Sequence, residues 1–231
     1  MIEHNRHKRK FYDFIYSKIL KIDNPQILEF GVSERGMSTE LFLDLCKKKN
    51  GKLFSVDVNY NVKKFKTNCW EFINTRDDDF SKVEGIIKNN SFDIIYLDTI
   101  HKANHVSKIF YHYYRILKKG GYFFIDDTSC LPYTKLREKN NFSQEVNNHE
   151  TFDKILEIFN ENHKNIDLEF SFVGTGIAQI RKLSDDELKK SKKIDYRKIT
   201  MKNLMRKIIL KLKNKFIWKN YFENSKENKF F

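Results

Sequence analysis

The chain has 231 residues, of which 40% are hydrophobic, and it carries a formal net charge of +13 with eight glycines and two prolines. That length suits one α/β domain with appendages, and the composition supplies a core while excluding a disordered or fibrous chain. No run of eighteen apolar residues is present to span a bilayer, and the opening MIEHNRHKRKFYDF lacks the apolar stretch of a secretory leader.

In chain order, His7 to Ile22 places Phe11, Phe14, Ile15, Ile19 and Leu20 at helical spacing, and Asp23-Asn24-Pro25 ends that N-terminal helix within residues 1–24. Gln26 to Phe30 reads as a buried strand, and Thr39 to Lys48 as a helix with Leu41, Phe42, Leu45 and Cys46 inward. After a turn at Gly51, Lys52 to Val58 reads as a second strand, with Asp57 at its end. The stretch 61–80 predicts a short helix and a strand ending near Ile73, followed by Thr75-Arg76-Asp77-Asp78-Asp79. Helices over Phe80 to Asn89 and Val106 to Leu117 bracket an apolar strand, Phe92 to Leu97, closed by Asp98. Lys119-Gly120-Gly121 predicts a turn before the strand Tyr122 to Ile125, which Asp126 and Asp127 close. This alternation predicts a mostly parallel sheet with both faces covered.

Beyond Pro132 the polar stretch 134–148 predicts a loop or lid, near 132–149, before a helix over Glu150 to Phe159. Asp167 to Phe172 and Gly176 to Lys182 predict two strands joined through Gly174-Thr175-Gly176, an antiparallel hairpin at the sheet edge. The main domain on this reading covers 25–185, and 186–231 forms an extension. The three cysteines, Cys46, Cys69 and Cys130, have no metal-site spacing. Their odd number points to a reducing, cytoplasmic compartment.

The stretch ILEFGVSERGMST, residues 27–39, joins a buried strand to a helix through a loop bracketed by Gly31 and Gly36. Glycines let a backbone turn sharply and approach a ligand, and the crevice beyond the strand ends is where ligands bind in such sheets. Many such glycine pairs are only tight turns. Glu29 stands where it can orient the loop or hold a cationic group, and Ser38 or Thr39 can cap the helix. Asp57, at the end of the next strand, can accept two hydrogen bonds from a ribose diol, or else serve as a cap or turn acid. The glycines are five apart, which is not the dinucleotide-binding array.

ILEFGVSERGMST followed by SVDVN resembles the first two motifs of the class I S-adenosylmethionine-dependent methyltransferases. FDIIYLDTIHKANHV with ILKKGGYFFIDDT is similar to later motifs of one branch, which contains the macrolide-sugar O-methyltransferases and the cephalosporin hydroxylase-like proteins. The resemblance covers residues 25–182. It implies a Rossmann-like doubly wound sheet in a three-layer α/β/α sandwich, with the last strand near Gly176 to Lys182 reversed. It implies methyl transfer from S-adenosylmethionine to a hydroxyl of a sugar or other small polyhydroxylated acceptor, glycans and lipid-linked acceptors included.

The resemblance also implies site roles. The Gly31–Gly36 loop, with Ser38 behind it, passes beneath the methionine portion of the cofactor, and Glu29 stands near its amino end. Asp57 binds the ribose hydroxyls. Asp77, with Asp78 fitting almost as well, lies near the adenine, and Asp98 lies near the sulfonium and the acceptor. Two departures stand out. The loop has one residue more than the commoner spacing and contains Arg35, and Asp98-Thr99-Ile100-His101 replaces the Asp-Gly-Asp-His often found in this family.

Asp98, Asp126 and Asp127 close two strands and come together if those strands are neighbours, a hard-oxygen set suited to Mg2+. A metal there could hold two acceptor hydroxyls and lower the pKa of one, and His101 could remove that proton. Related sugar methyltransferases use such a metal and base. Asp98 and His101 are therefore the catalytic candidates. On the plainer alternative, Asp127 and Thr128 satisfy loop backbone groups and His101 is a capping residue. His105 and His112 read as structural or surface groups, and Phe110, Tyr111, Tyr113 and Tyr114 as helix packing. Tyr133 can flank an acceptor or anchor its loop, and His149 stands at the start of the helix after that loop. Oxygen-dependent hydroxylation is a rival on the same scaffold, though no two-His-one-carboxylate array is evident. A non-enzymatic assembly or binding protein is another.

Residues 189–219 hold thirteen Lys or Arg and one Asp, a net +12, which leaves +1 for the other 200 residues. Within 199–219, Leu204, Met205, Ile208, Ile209, Leu212 and Phe216 form an apolar stripe flanked by lysines and Arg206. A basic amphipathic helix can pack on its own domain or a homodimer partner, or lie peripherally on an anionic membrane. Nucleic acid is a weaker reading, because no RNA-binding module accompanies the charge.

Overall fold

The computed structural model describes residues 14–32, 36–62, 64–88, 90–129, 142–194, 200–206, 208, 209 and 212. Among these, seven strands form one sheet: β1 (Gln26–Phe30), β2 (Lys52–Asp57), β3 (Trp70–Asn74), β4 (Phe92–Leu97), β5 (Leu117–Asp126), β6 (Ile166–Ser171) and β7 (Ile177–Lys182). Their spatial order is β3-β2-β1-β4-β5-β7-β6. The first five pair in parallel, while β7 runs antiparallel to both β5 and β6. The reversed last strand expected near Gly176 to Lys182 is therefore present, and the fold is a three-layer α/β/α sandwich around a mixed, doubly wound sheet.

Alternation along the strands sends successive side chains to opposite layers. Leu28, Phe30, Phe54 and Val56 meet Val83 and Ile87 of α2 (Phe80–Ile87), Ile109 and Phe110 of α3 (Ala103–Tyr113), and Ile155 and Ile158 of α4 (Phe142–Asn162). Ile27, Leu53, Ile94 and Phe124 face the other way, onto Phe42, Leu45 and Cys46 of α1 (Met37–Lys49) and onto Ile15 and Ile19. Both faces are covered, so the central strands read as near-continuous apolar runs. Phe110 and Tyr113 are fully buried within α3, as the aromatic series predicted.

Four elements differ from the sequence reading. The helix expected to Leu117 ends at Tyr113, and a 3-10 turn over Tyr114–Ile116 leads into β5. Lys119-Gly120-Gly121 does not precede that strand but lies within it. Phe92 pairs with Leu117 and Ile94 with Tyr122, so the extra residues form a bulge. Gly120 takes a φ of 85° there, and a Cβ on Gly121 would lie 2.8 Å from the Lys118 carbonyl oxygen. The expected helix after residue 61 is absent among the described residues, where turns lead directly to β3. The N-terminal helix is described only from residue 14, with an α-helical turn at Ser17–Ile19.

The expected lid is the largest difference. Residues 130–141, with Tyr133 and Cys130, lie outside the described residues, but 142–149 are helical and belong to α4. The helix contains neither Gly nor Pro, and its polar first half faces polar strand-end loops, so hydrophobic periodicity does not announce it.

The chain divides into two compact units, Met1–Lys192 and Lys193–Phe231. Residues 186–192 lie in the first. The Asn162 amide bonds both the N–H (2.7 Å) and the carbonyl (2.9 Å) of Lys189, and Tyr111 donates to that same carbonyl. In the second unit, residues 201–206, 208, 209 and 212 are helical.

Candidate active site

The sheet order changes direction between β1 and β4, because their following helices lie on opposite faces. A crevice opens at the carboxyl ends of strands at such a point. Gly31, Asp57, Asp98, Asp126 and Asp127 all stand at these ends. Gly31 has a φ of 92°, and a Cβ on it would fall 1.8 Å from the carbonyl oxygen of Asp98. Glycine is therefore required where the exits of β1 and β4 touch.

Glu29 is fully buried on the α1 face of the sheet. Its carboxylate accepts from Ser38 Oγ (2.6 Å), Thr39 Oγ1 (2.9 Å) and Ser55 Oγ (2.6 Å), tying the first turn of α1 to β2. Of its two expected functions, the structure assembles the loop-orienting one. Burial raises its pKa to about 7 against the lowering effect of those three hydroxyls. Ser38 does not cap α1: Gly36 occupies the N-cap position at a φ of 61°, and Ser38 faces Glu29. Arg35 lies outside the described residues.

Asp57 latches the same loop from the second strand. Its oxygens accept from the backbone N–H groups of Val32 (2.6 Å) and Asn59 (2.7 Å). Each oxygen keeps a lone pair for a further donor. Asp77 is turned inward, where its Oδ2 receives Thr99 Oγ1 at 2.5 Å and lies 2.7 Å from His105 Nε2. Its carboxylate thus braces the Asp98–His101 loop against α3, and His105 is structural. Asp78 faces Arg76 and Lys108, and the hydrogen bond from Arg76 holds its pKa down to about 2.

His101 stands between the two strand ends. Its Nε2 lies 3.4 Å from Asp98 Oδ1 and 3.5 Å from Asp127 Oδ2. Asp98 is the more open side, with 38% of its side chain exposed against 14% for Asp127. Asp126 meets Tyr96 rather than His101. Tyr96 donates to its Oδ2 at 2.7 Å, and the Asp127 N–H to its Oδ1 at 2.7 Å. The expected set of three carboxylates is thus not assembled, and no group of three or more His, Cys, Asp or Glu is placed to hold a metal among the described residues. Tyr96 is wholly buried, and burial together with the nearby charges of Asp98, Glu29 and Asp127 raises its pKa well above the ordinary phenol value. It therefore remains a proton donor.

Residues 28–128 match a family model described as a methyltransferase domain. Nothing among curated proteins matches the chain. Among solved structures it is similar to a "putative caffeoyl-CoA O-methyltransferase from Staphylococcus aureus", at 16% identity and a TM-score of 0.52 over 68% of this chain and 76% of that one. It is similar to a "putative rRNA-methylase from Clostridium thermocellum" at 14% identity and a TM-score of 0.52, over 73% and 92%. MycE methyltransferase from the mycinamycin biosynthetic pathway, in complex with Mg and SAH, aligns at 18% identity and a TM-score of 0.50, over 79% and 50%. This chain spans about half the length of that protein. The chain carries a methyltransferase domain. Its fold is that of the class I S-adenosylmethionine-dependent methyltransferases.

Four residues that shape this strand-end site were not singled out from the sequence. Tyr96 is one; the signal was a polar tip inside the apolar run Ile94–Leu97, and the structure pairs it in register with Glu29. The others lie on α4. Gln144 Nε2 donates to Asp127 Oδ2 at 3.1 Å, the Asn148 amide donates to the Asp127 carbonyl at 3.1 Å, and Thr151 Oγ1 donates to the His101 carbonyl at 3.4 Å. His149, on the same helix, is half exposed beside Asp153.

Proposed function

We propose that this chain transfers a methyl group from S-adenosylmethionine to a hydroxyl of a sugar or other small polyhydroxylated molecule, lipid-linked acceptors included, with His101 as the base. The observation that supports it most directly is the placement of His101 Nε2 between Asp98 and Asp127 beside the Gly31 turn. The cofactor supplies an electrophilic methyl group on a positively charged sulfur. The chain is strongly basic overall, yet its strand ends gather Asp57, Asp98 and Asp127. That local negative potential favours a cation there, which is the fit expected for a sulfonium.

Asp57 offers its remaining lone pairs to the ribose hydroxyls while it fixes the loop through Val32. His101 takes the proton of the acceptor hydroxyl as the oxygen gains the methyl group. Asp98 and Asp127 stabilise the imidazolium so formed. Gln144, Asn148 and Thr151 hold this pair from α4. Asp126 is held by Tyr96, so the residues do not form the three-acid Mg2+ set and no step is assigned to a metal.

Calorimetry with S-adenosylhomocysteine tests the cofactor. Binding is expected, and Asp57→Ala should weaken it at least tenfold in a chain that remains folded. Absence of binding by folded protein that instead binds NAD rejects the assignment. With a sugar acceptor, the product should gain one CH₂ unit by mass; a gain of one oxygen identifies hydroxylation instead. His101→Ala should slow turnover by roughly 10²–10⁴-fold while leaving S-adenosylhomocysteine affinity unchanged. Turnover should persist in excess chelator, and a loss restored by Mg2+ means that Asp126 leaves Tyr96 to complete a metal site.

A further inference from the structure

The helical segment of the second unit presents Met201, Leu204, Met205, Ile208, Ile209 and Leu212 in an exposed state, each at least 46% accessible. Their spacing of three and four residues places them along one side of a helix. The second unit is also strongly cationic, with ten Lys or Arg and one Asp over residues 193–219, a net +9. Lys202, Arg206, Lys207 and Lys211 are interleaved with the apolar positions in the sequence. No helix among the described residues is long and apolar enough to cross a membrane.

We infer that this helix is a docking surface for an anionic bilayer, lying in the plane of the interface with its apolar side among the acyl chains. Three alternatives fit the observed pairing of features less well. A twofold contact between copies would bring the same patch against itself and oppose two segments of net +9. Nucleic acid would neutralise the lysines but leave the apolar side in water. A neutral bilayer would bury the apolar side and leave the cations without counter-charge. An anionic bilayer engages both, through burial of apolar area and through attraction of each Lys and Arg to lipid phosphate. The inference does not depend on the methyl-transfer reading, since it uses none of the strand-end residues.

Co-sedimentation of the full chain with vesicles tests it. Vesicles of mixed phosphatidylglycerol and phosphatidylcholine should retain the protein at about 0.15 M salt, and pure phosphatidylcholine vesicles should not. Leu204→Glu with Ile208→Glu should reduce retention at least tenfold. Replacing Lys202, Arg206, Lys207 and Lys211 by Gln should do the same, and binding of the native chain should weaken as salt rises. Each variant should keep the native melting temperature and its affinity for S-adenosylhomocysteine. Equal retention by neutral vesicles, no retention by anionic ones, or retention that survives both sets of substitutions overturns the inference. So does a lowered melting temperature of the Glu variant, which makes the stripe a packing element, or its conversion from dimer to monomer in sedimentation, which makes a second copy the occupant. Tight binding of an RNA oligonucleotide, lost in the Gln variant, with no vesicle binding assigns the charge to nucleic acid.

Discussion

Burial holds the Glu29 carboxyl at a pKa of about 7, raised from an ordinary 4.5. An acid whose pKa is higher in the folded state favours folding below its unfolded pKa and loses that contribution as pH rises through the folded value. The domain should therefore lose stability between about pH 4.5 and pH 7, by on the order of 3 kcal/mol from this group. Glu29→Gln should flatten that part of the profile. The hydroxyls of Ser38, Thr39 and Ser55 can rotate to accept from an amide as readily as they donate to a carboxylate. Urea unfolding at several pH values measures both slopes, and an unchanged slope in the variant means that another group dominates. The acid was conspicuous in the sequence because it interrupts an apolar run. Ser38 and Thr39 stood out only as caps, and Ser55 not at all, because the fold alone brings these segments beneath the acid.

At the level of elements, the exits of β1 and β4 are coupled by contact. Gly31 donates its N–H to the Val56 carbonyl, Asp98 donates its N–H to the Phe30 carbonyl, and the Gly31 Cα faces the Asp98 carbonyl with no room for a Cβ. Gly31→Ala combines an unfavourable positive φ with that clash. It should cost about 2 kcal/mol or more of stability. It should also shift the Asp98 loop, so affinity for S-adenosylhomocysteine should fall further than stability alone explains. Gly120→Ala is the control, since it has a φ of 85° but open space around its Cα. It should lower stability without touching ligand affinity. The two glycine turns of 31 and 36 were legible from their setting between a strand and a helix. The β5 bulge was legible only as a turn, because its signal does not say whether the chain leaves the sheet or only swells within it. Helix α4 shows the opposite failure: a polar face usually marks solvent, but here Asn148 and Thr151 are buried against strand-end loops.

For the whole molecule, the division after Lys192 has a mechanical test. Truncation after Lys192 should keep the melting temperature of the first unit within a few degrees. Truncation after Asp185 removes Lys189 and leaves the buried amide of Asn162 without two of its partners. That should destabilise the domain by about 2 kcal/mol. Thermal unfolding followed by circular dichroism separates the two outcomes. Equal losses from both truncations mean that residues 193–231 also support the first unit. The charge balance follows the same division. The surplus of positive charge begins at the very end of the first unit and continues through the second, so the +13 of the chain describes the extension and not the acidic strand ends.

The sequence by itself determined the layer arrangement and the strand ends. A period of two in an apolar run, or of three and four in an amphipathic one, is a local property that survives into any fold that buries both faces. It therefore placed β1 and β4 to the residue, and put Asp57, Asp98, Asp126 and Asp127 at strand termini. What those acids do was decided only by tertiary structure. Register sets Glu29 beside Ser55 and Tyr96, and the adjacency of β4 and β5 sets His101 between Asp98 and Asp127. Tyr96 then donates to Asp126, a partner that proximity in sequence did not suggest. A carboxylate's role depends on which donors reach it, and donors separated by tens of residues meet only when the sheet has closed.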